Sequence, residues 1–312
     1  MARSFLTLFL ALLLAACAGG APRDANFVIP EGASMTRAAE IMEEAGAVSD
    51  ADAFVRSARL FGSDEPIKPG EYEVKAGASA GDVLAMLQAG RTRQRFVTIP
   101  EGWPSILVWE RLMANPHLTG EIPVPAEGSV LPDTYAIAKG EPRAAVVARM
   151  QAAMDRAFAA AWAERSSRAF PQDRNQAITL ASIIEKETSK PAERSTVAGV
   201  YTNRLRIGMR LQADPTIIYP ITRGKPLGRR IRRSEIAAVN GYNTYSMAGL
   251  PVGPIANPGR ESIRAALNPG QTDYLYFVAD GTGGHIFART LAEHNANVER
   301  WFSIRRARGE ME

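Results

Sequence analysis

The sequence predicts an α+β fold in two parts, a small N-terminal module followed by a larger mixed α/β domain. Three observations carry this. A short strand-turn-helix pattern recurs three times within the first third of the chain. Helical periodicity then dominates from about residue 142 to Gly208. Beyond that the chain turns rich in Gly, Pro and Asn, with one short strand pattern over Tyr274–Ala279.

The N-terminus comes first. Arg3 precedes an almost unbroken apolar run from Phe5 to Ala16. A spanning helix needs ~20 apolar residues, so the run fits the core of a secretory signal better. It ends Leu14-Ala15-Ala16-Cys17, and Cys17 is the only cysteine. Small residues before a lone Cys resemble a bacterial lipobox, which makes Cys17 a candidate for lipid attachment. The competing reading is an uncleaved anchor, with Cys17 a small apolar residue within it. Under either, residues 1–20 are a signal or anchor, and the remainder is exported and tethered to a membrane. With no second cysteine the exported part forms no disulfide, so packing alone must hold it together.

The three repeats come next. Phe27-Val28-Ile29-Pro30-Glu31-Gly32, Tyr72-Glu73-Val74-Lys75-Ala76-Gly77 and Phe96-Val97-Thr98-Ile99-Pro100-Glu101-Gly102 each lead into an amphipathic helix, and the first two helices close with Gly46 and Gly90. The first two units predict an α+β module over 27–95 that resembles LysM-type glycan-binding domains. Glycan binding and a purely structural role stay equally open, because no aromatic platform is visible. Residues 96–140, rich in Pro and Gly, read as a connector. A scaffold helix is expected from about Pro142 to Arg165, inside a larger domain over 141–305.

Charge is modestly basic, with a net +4. One cluster stands out: Arg223, Lys225, Arg229, Arg230, Arg232 and Arg233. For an exported chain nucleic acid is not an expected partner. The cluster therefore reads as a solvated loop able to feel an anionic membrane surface or polymer. His117, His285 and His294 are scattered, no His-Glu-x-x-His pattern occurs, and no Gly-rich phosphate loop opens a helix. No metal or other cofactor is expected.

The candidate chemistry lies on a helix expected from about Asp173 to Thr188, capped by Asp173. Ala177, Ile178, Leu180, Ala181 and Ile184 form its apolar stripe, and Glu185 falls on or beside it. A carboxylate against apolar neighbours titrates high, as a general acid requires. The alternative is that Glu185 is a surface residue or pairs with Arg194 or Arg204. Glu187, Glu193 and Asp214 are the candidates for a second carboxylate. Glu187, two positions on, must point elsewhere. Gln212, Asp214, Tyr242, Asn243 and Tyr245 supply the amides, carboxylate and aromatic faces that a sugar groove needs. Gln212 and Asn243 would equally serve to satisfy loop backbone.

Several long motifs then carry a resemblance. Ala181-Ser182-Ile183-Ile184-Glu185-Lys186-Glu187-Thr188, Asn203-Arg204-Leu205-Arg206-Ile207-Gly208-Met209-Arg210-Leu211-Gln212-Ala213-Asp214-Pro215-Thr216, Tyr242-Asn243-Thr244-Tyr245 and Tyr274–Gly281 with Gly284-His285 together resemble the endolytic murein transglycosylase (YceG-like) family. The resemblance spans residues ~27–302. It implies an anchored enzyme at the periplasmic face of the inner membrane that cuts nascent peptidoglycan strands internally, beside peptidoglycan synthases, and so controls strand length. It implies that Glu185 is the catalytic acid/base, acting on the MurNAc-GlcNAc β-1,4 bond to leave 1,6-anhydro-MurNAc ends. Two rivals remain: a non-catalytic, membrane-tethered peptidoglycan-binding protein, and a hydrolase that needs a further base.

Overall fold

The computed structural model describes residues 20–62 and 65–310. The apolar leader and Cys17 lie outside them. Among the described residues no helix is long and apolar enough to cross a membrane. The chain divides into two compact units, one running to Phe96 with Ala136–Glu141, the other comprising Val97–Tyr135 and the chain from Pro142 onward. Most of the expected connector thus belongs to the second unit.

The first unit runs β1 (Ala25–Ile29), α1 (Met35–Ala45), α2 (Ala51–Phe61), β2 (Gly70–Val74) and α3 (Ala80–Ala89). The strands pair antiparallel with Phe27 opposite Tyr72. Alternation turns Ala25, Phe27 and Ile29 inward onto Met42, Phe54, Val83 and Leu87. Both repeat helices start and stop as the sequence spells them. Ser34 and Ser79 accept the N-cap hydrogen bonds, while Gly46 and Gly90 close the helices in the left-handed conformation that favours glycine. Helix α2 was not foreseen, because it interrupts the repeat. Its signals were nonetheless present in the cap Asp50, whose carboxylate accepts the Ala53 N–H at 2.7 Å, and in buried Phe54 and Val55.

The second unit holds α4 (Ser105–Met113), α5 (Arg143–Ala163), α6 (Arg174–Glu187), α7 (Pro191–Arg206), α8 (Pro215–Thr222), α9 (Arg233–Ala237) and α10 (Arg260–Leu267). A hairpin of β3 (Tyr276–Ala279) and β4 (His285–Ala288) follows, then α11 (Leu291–Ala307). Helix α6 is central, packed by α10, α7 and α8. Its expected stripe is buried, and so is the rest of its circumference, since every residue from Ala177 to Ile184 is buried. Of the two hydroxyls there, Thr179 Oγ1 is buried with no hydrogen-bond partner among the described residues, whereas Ser182 is met on both sides. Ser182 Oγ donates to the Thr179 carbonyl at 2.7 Å and accepts the Ile255 N–H at 3.1 Å.

Fully buried Asn257 fastens the loops over this core. Its Nδ2 donates to the Trp103 carbonyl and Ser105 Oγ, each at 3.0 Å, and its Oδ1 accepts the Val130 N–H at 3.2 Å. Its backbone carbonyl accepts the Gly102 N–H at 3.0 Å. Since α6 has no solvent-facing side between 177 and 184, truncating it opens a cavity with nothing free to fill it. Leu180→Ala is expected to lower the unfolding free energy by ~2–5 kcal/mol, read as a lower urea midpoint at unchanged slope.

Candidate active site

Helix α6 ends in Glu185-Lys186-Glu187, and helical rotation sends these three side chains in three directions. Glu185 faces a pocket of fixed polar partners. Its side chain is 7% exposed and one carboxylate oxygen lies 3.9 Å from Arg194 Nη2. The other accepts the Gly259 N–H at 2.9 Å. Gly102, in the left-handed region at φ +72°, comes so near that a Cβ there would lie 3.3 Å from Glu185 Cγ. Glu101 is pushed up by burial and then by the charge of Glu185. The expected apolar setting for Glu185 is therefore corrected: a backbone amide and a guanidinium hold the carboxylate. Of the two arginines considered as partners, Arg194 is the one beside it. Lys186 is exposed and donates to the Gly102 carbonyl at 3.3 Å.

Glu187 points toward α7 and the loop that precedes α8. Burial pushes its carboxyl up to about 7, and the charge of Asp214 adds to the shift. A hydrogen bond from Tyr201 and the charge of Arg204 oppose it. It lines a polar cleft of about 430 Å³ with Gln212, Asp214, Tyr245, Arg204 and His294, walled by Phe277 and Val278 of β3.

Each lining group has a reason to be where it is. Gln212 is exposed and held at φ +51°, a conformation that costs energy for any residue but glycine. Its N–H donates to the Thr244 carbonyl at 3.3 Å. Two buried threonines lock this loop to the next: Thr216 Oγ1 lies 2.9 Å from Thr244 Oγ1, which accepts the Ala213 N–H at 3.0 Å. Across that clasp the Tyr245 hydroxyl donates to Asp214 at 2.6 Å. Burial, then this hydrogen bond, pushes the Tyr245 hydroxyl up, so it remains a donor. Arg204, 7% exposed, donates to the carbonyls of Leu275 at 2.6 Å and Leu211 at 2.7 Å, tying the cleft's two walls together. The His294 ring stacks on Tyr276, with centroids 5.2 Å apart. Burial and then Arg204 lower its pKa, and its Nδ1 is buried with no hydrogen-bond partner among the described residues.

Of the five expected substrate contacts, Gln212, Asp214 and Tyr245 meet in this cleft. Asn243 does not. It is fully buried, with Nδ2 donating to the carbonyls of Ile236 at 2.9 Å and Ala238 at 2.6 Å and Oδ1 accepting the Tyr245 N–H at 2.9 Å. Satisfying loop backbone is its role, the second of the two readings left open. The Tyr242 ring packs at a tilt against Tyr219 with centroids 4.8 Å apart, and Tyr242 is not part of the cleft lining. Glu193 is taken up by His285, accepting its backbone N–H at 3.1 Å and its Nδ1 at 2.8 Å. His294 is the contributor sequence reasoning missed, and Arg204 was weighed only as a partner for Glu185. Both reach the cleft through the packing of α7 and α11.

A second groove of about 380 Å³ lies across the steps Lys186-Glu187 and Asp214-Pro215. It is walled by Trp103, Leu107, Ile218 and Leu227 and carries no acid in its lining.

A carboxyl raised from an ordinary value near 4.5 to about 7 binds its proton more tightly in the folded chain than in the unfolded one. Its contribution to stability is full below the unfolded value and is lost as pH rises through about 7. Glu187→Gln is expected to remove that loss, seen as urea midpoints that no longer fall across the interval. Carbon-13 NMR of glutamate carboxyls should show one group titrating near neutrality in the wild type and missing in the variant.

An endolytic murein transglycosylase of Bacillus subtilis is 27% identical over 89% of this chain and 85% of its own. One of Streptococcus pneumoniae is 29% identical over 95% of this chain, which spans 65% of the streptococcal protein. The crystal structure of a YceG-like protein from Listeria monocytogenes superposes with a TM-score of 0.55 at 27% identity, covering 88% of this chain and 98% of that one. The YceG-like family model matches residues 27–300, and the chain belongs to that family.

Proposed function

We propose that this chain is an endolytic peptidoglycan lytic transglycosylase and that Glu187, rather than Glu185, is its acid/base. The observation that carries the reading is a carboxyl poised near pH 7 in a polar cleft large enough for sugar. The curated relatives, named as endolytic murein transglycosylases, support the reaction class. Glu185 already holds an amide and lies beside a guanidinium, so it stiffens the helix end that carries Glu187.

In the reaction, protonated Glu187 donates to the glycosidic oxygen between MurNAc and GlcNAc as the C1–O bond breaks and positive charge grows at the muramyl C1. The muramyl 6-hydroxyl then bonds to C1 and gives its proton to the Glu187 carboxylate. The product is a 1,6-anhydro end, and the acid is regenerated. The nucleophile is intramolecular, so no activated water and no second carboxylate are required, unlike the two-carboxylate glycosidase scheme. Asp214, fixed by Tyr245, offers negative charge toward the developing cation, and Gln212 offers an amide to the sugar.

The same reading has the chain exported and held at the periplasmic face of the inner membrane, through a lipid on Cys17 or an N-terminal span, working beside peptidoglycan synthases. It treats the first unit as a LysM-like glycan-holding module. A groove of about 370 Å³ in that unit, between the turn after β1 (Pro30, Gly32, Ala33) and the segment before β2 (Pro66, Ile67, Pro69), suits an extended polymer.

Purified sacculi digested with wild type, Glu187→Gln and Glu185→Gln test the assignment, with fragments read by mass spectrometry. Anhydro-muramyl ends from wild type are expected to fall by at least ~100-fold with Glu187→Gln. With Glu185→Gln they should fall less, in step with any loss of stability. The opposite ranking returns the acid to Glu185. Reducing ends would identify a hydrolase, and sacculus binding without cleavage by any of the three would identify a binding protein.

A further inference from the structure

One stretch of surface has no part in that chemistry. Residues 221–241 hold six basic side chains, Arg223, Lys225, Arg229, Arg230, Arg232 and Arg233, against the single acid Glu235. Glu235 is engaged by Arg229 through both carboxylate oxygens and accepts the Arg232 N–H at 2.7 Å. Lys225 pairs with Glu110. Arg230, Arg232 and Arg233 make no ion pair among the described residues, so three like charges stand close together in the open. Arg230 also donates to the Glu310 carbonyl at 3.4 Å and Arg232 lies within the field of Glu235, but the three exposed like charges still repel.

Beside these charges the surface exposes large apolar side chains. Val239 is 88% and Val252 66% accessible, and Ile236 is exposed as well. The two valines lie beside one backbone junction. The Val252 N–H donates to the Gly241 carbonyl at 2.9 Å, and its side chain covers the position a Cβ on Gly241 would take. The loop is also fixed, because Asn243 holds the carbonyls that end α9. The patch is thus presented without the ordering cost a mobile loop would incur on binding.

Charge alone would suit any polyanion. Exposed valine and isoleucine beside arginine suit a surface that is anionic outside and apolar just beneath, which is a phospholipid interface. Arginine forks match lipid phosphates, and branched side chains can then leave water. We propose that the surface formed by Arg230, Arg232, Arg233, Ile236, Val239 and Val252 seats this unit on an anionic phospholipid bilayer. The inference does not rest on the reaction assigned to the cleft.

Hydrogen exchange with mass spectrometry on the full chain tests it, in phosphatidylcholine vesicles with and without phosphatidylglycerol. Any insertion by the apolar leader is common to both kinds of vesicle, so the readout is local. Peptides covering 229–252 should exchange several times more slowly on the anionic vesicles, and high salt should abolish the difference. R230E/R232E/R233E should lose this protection while exchange in α6 stays unchanged; three arginines at ~1 kcal/mol each correspond to on the order of a hundredfold in surface affinity. Val239→Ser with Val252→Ser should weaken it at constant charge. Equal exchange on both vesicles, or protection that survives charge reversal, would overturn the proposal. Protection induced on neutral vesicles by soluble acidic glycan strands, and not by phosphatidylglycerol, would assign the patch to a polymer instead.

Discussion

The complete burial of α6 between Ala177 and Ile184 is the constraint from which the rest of the second unit follows. A helix exposed on one side can bend or slide. One enclosed by α7, α8 and α10 cannot shift without opening voids that neighbouring side chains are too tightly packed to fill. Its last turn therefore emerges at a fixed point with fixed rotation. The three polar residues there are aimed by the core beneath them, and each reaches a different partner.

That rigidity separates the roles of two chemically identical side chains. Glu185 sits 2.9 Å from the Gly259 amide and beside Arg194, where it closes loop against helix. Glu187 looks into a cleft with a hydroxyl donor, a second acid and a guanidinium already committed to carbonyls. Burial then decides its behaviour, since removing water penalises the ionised form more than Tyr201 and Arg204 together favour it. The cleft's other side depends on a short chain of buried polar contacts, Thr216 to Thr244 to Ala213, that holds Gln212 in a left-handed conformation. Such strain persists only where the surroundings over-determine it. Asn243 adds no contact of its own to the cleft, yet through the Tyr245 N–H it sets the ring whose hydroxyl fixes Asp214.

Much of this was legible in the sequence, and the reasons are local. The caps Ser34, Ser79 and Asp173 and the closing glycines Gly46 and Gly90 act within one helical turn, so the strand-turn-helix repeat and α6 can be read from neighbouring residues. Helix α2 was hidden by the repeat on either side of it, not by any lack of signal in Asp50, Phe54 and Val55. The polar cluster Gln212, Asp214 and Tyr245 was found because polar and aromatic residues concentrate in those loops. Asn243 was grouped with them for the same reason, although its amide is wholly committed to backbone.

The sequence by itself determined the α+β class, the repeat helices, the family motifs and the helix that carries the acids, because propensity, capping and periodicity depend on residues a few positions apart. It also determined that Glu185 and Glu187 must diverge, since helical rotation alone ensures that. Which of the two faces the cleft was decided by the tertiary structure. That depends on where Gly259, Arg194, Tyr201 and Asp214 arrive in space, and the carboxyl's affinity for its proton depends on how much water their packing excludes. Arg204 and His294 entered the cleft by the same route, through the docking of α7 and α11, which no stretch of local sequence encodes.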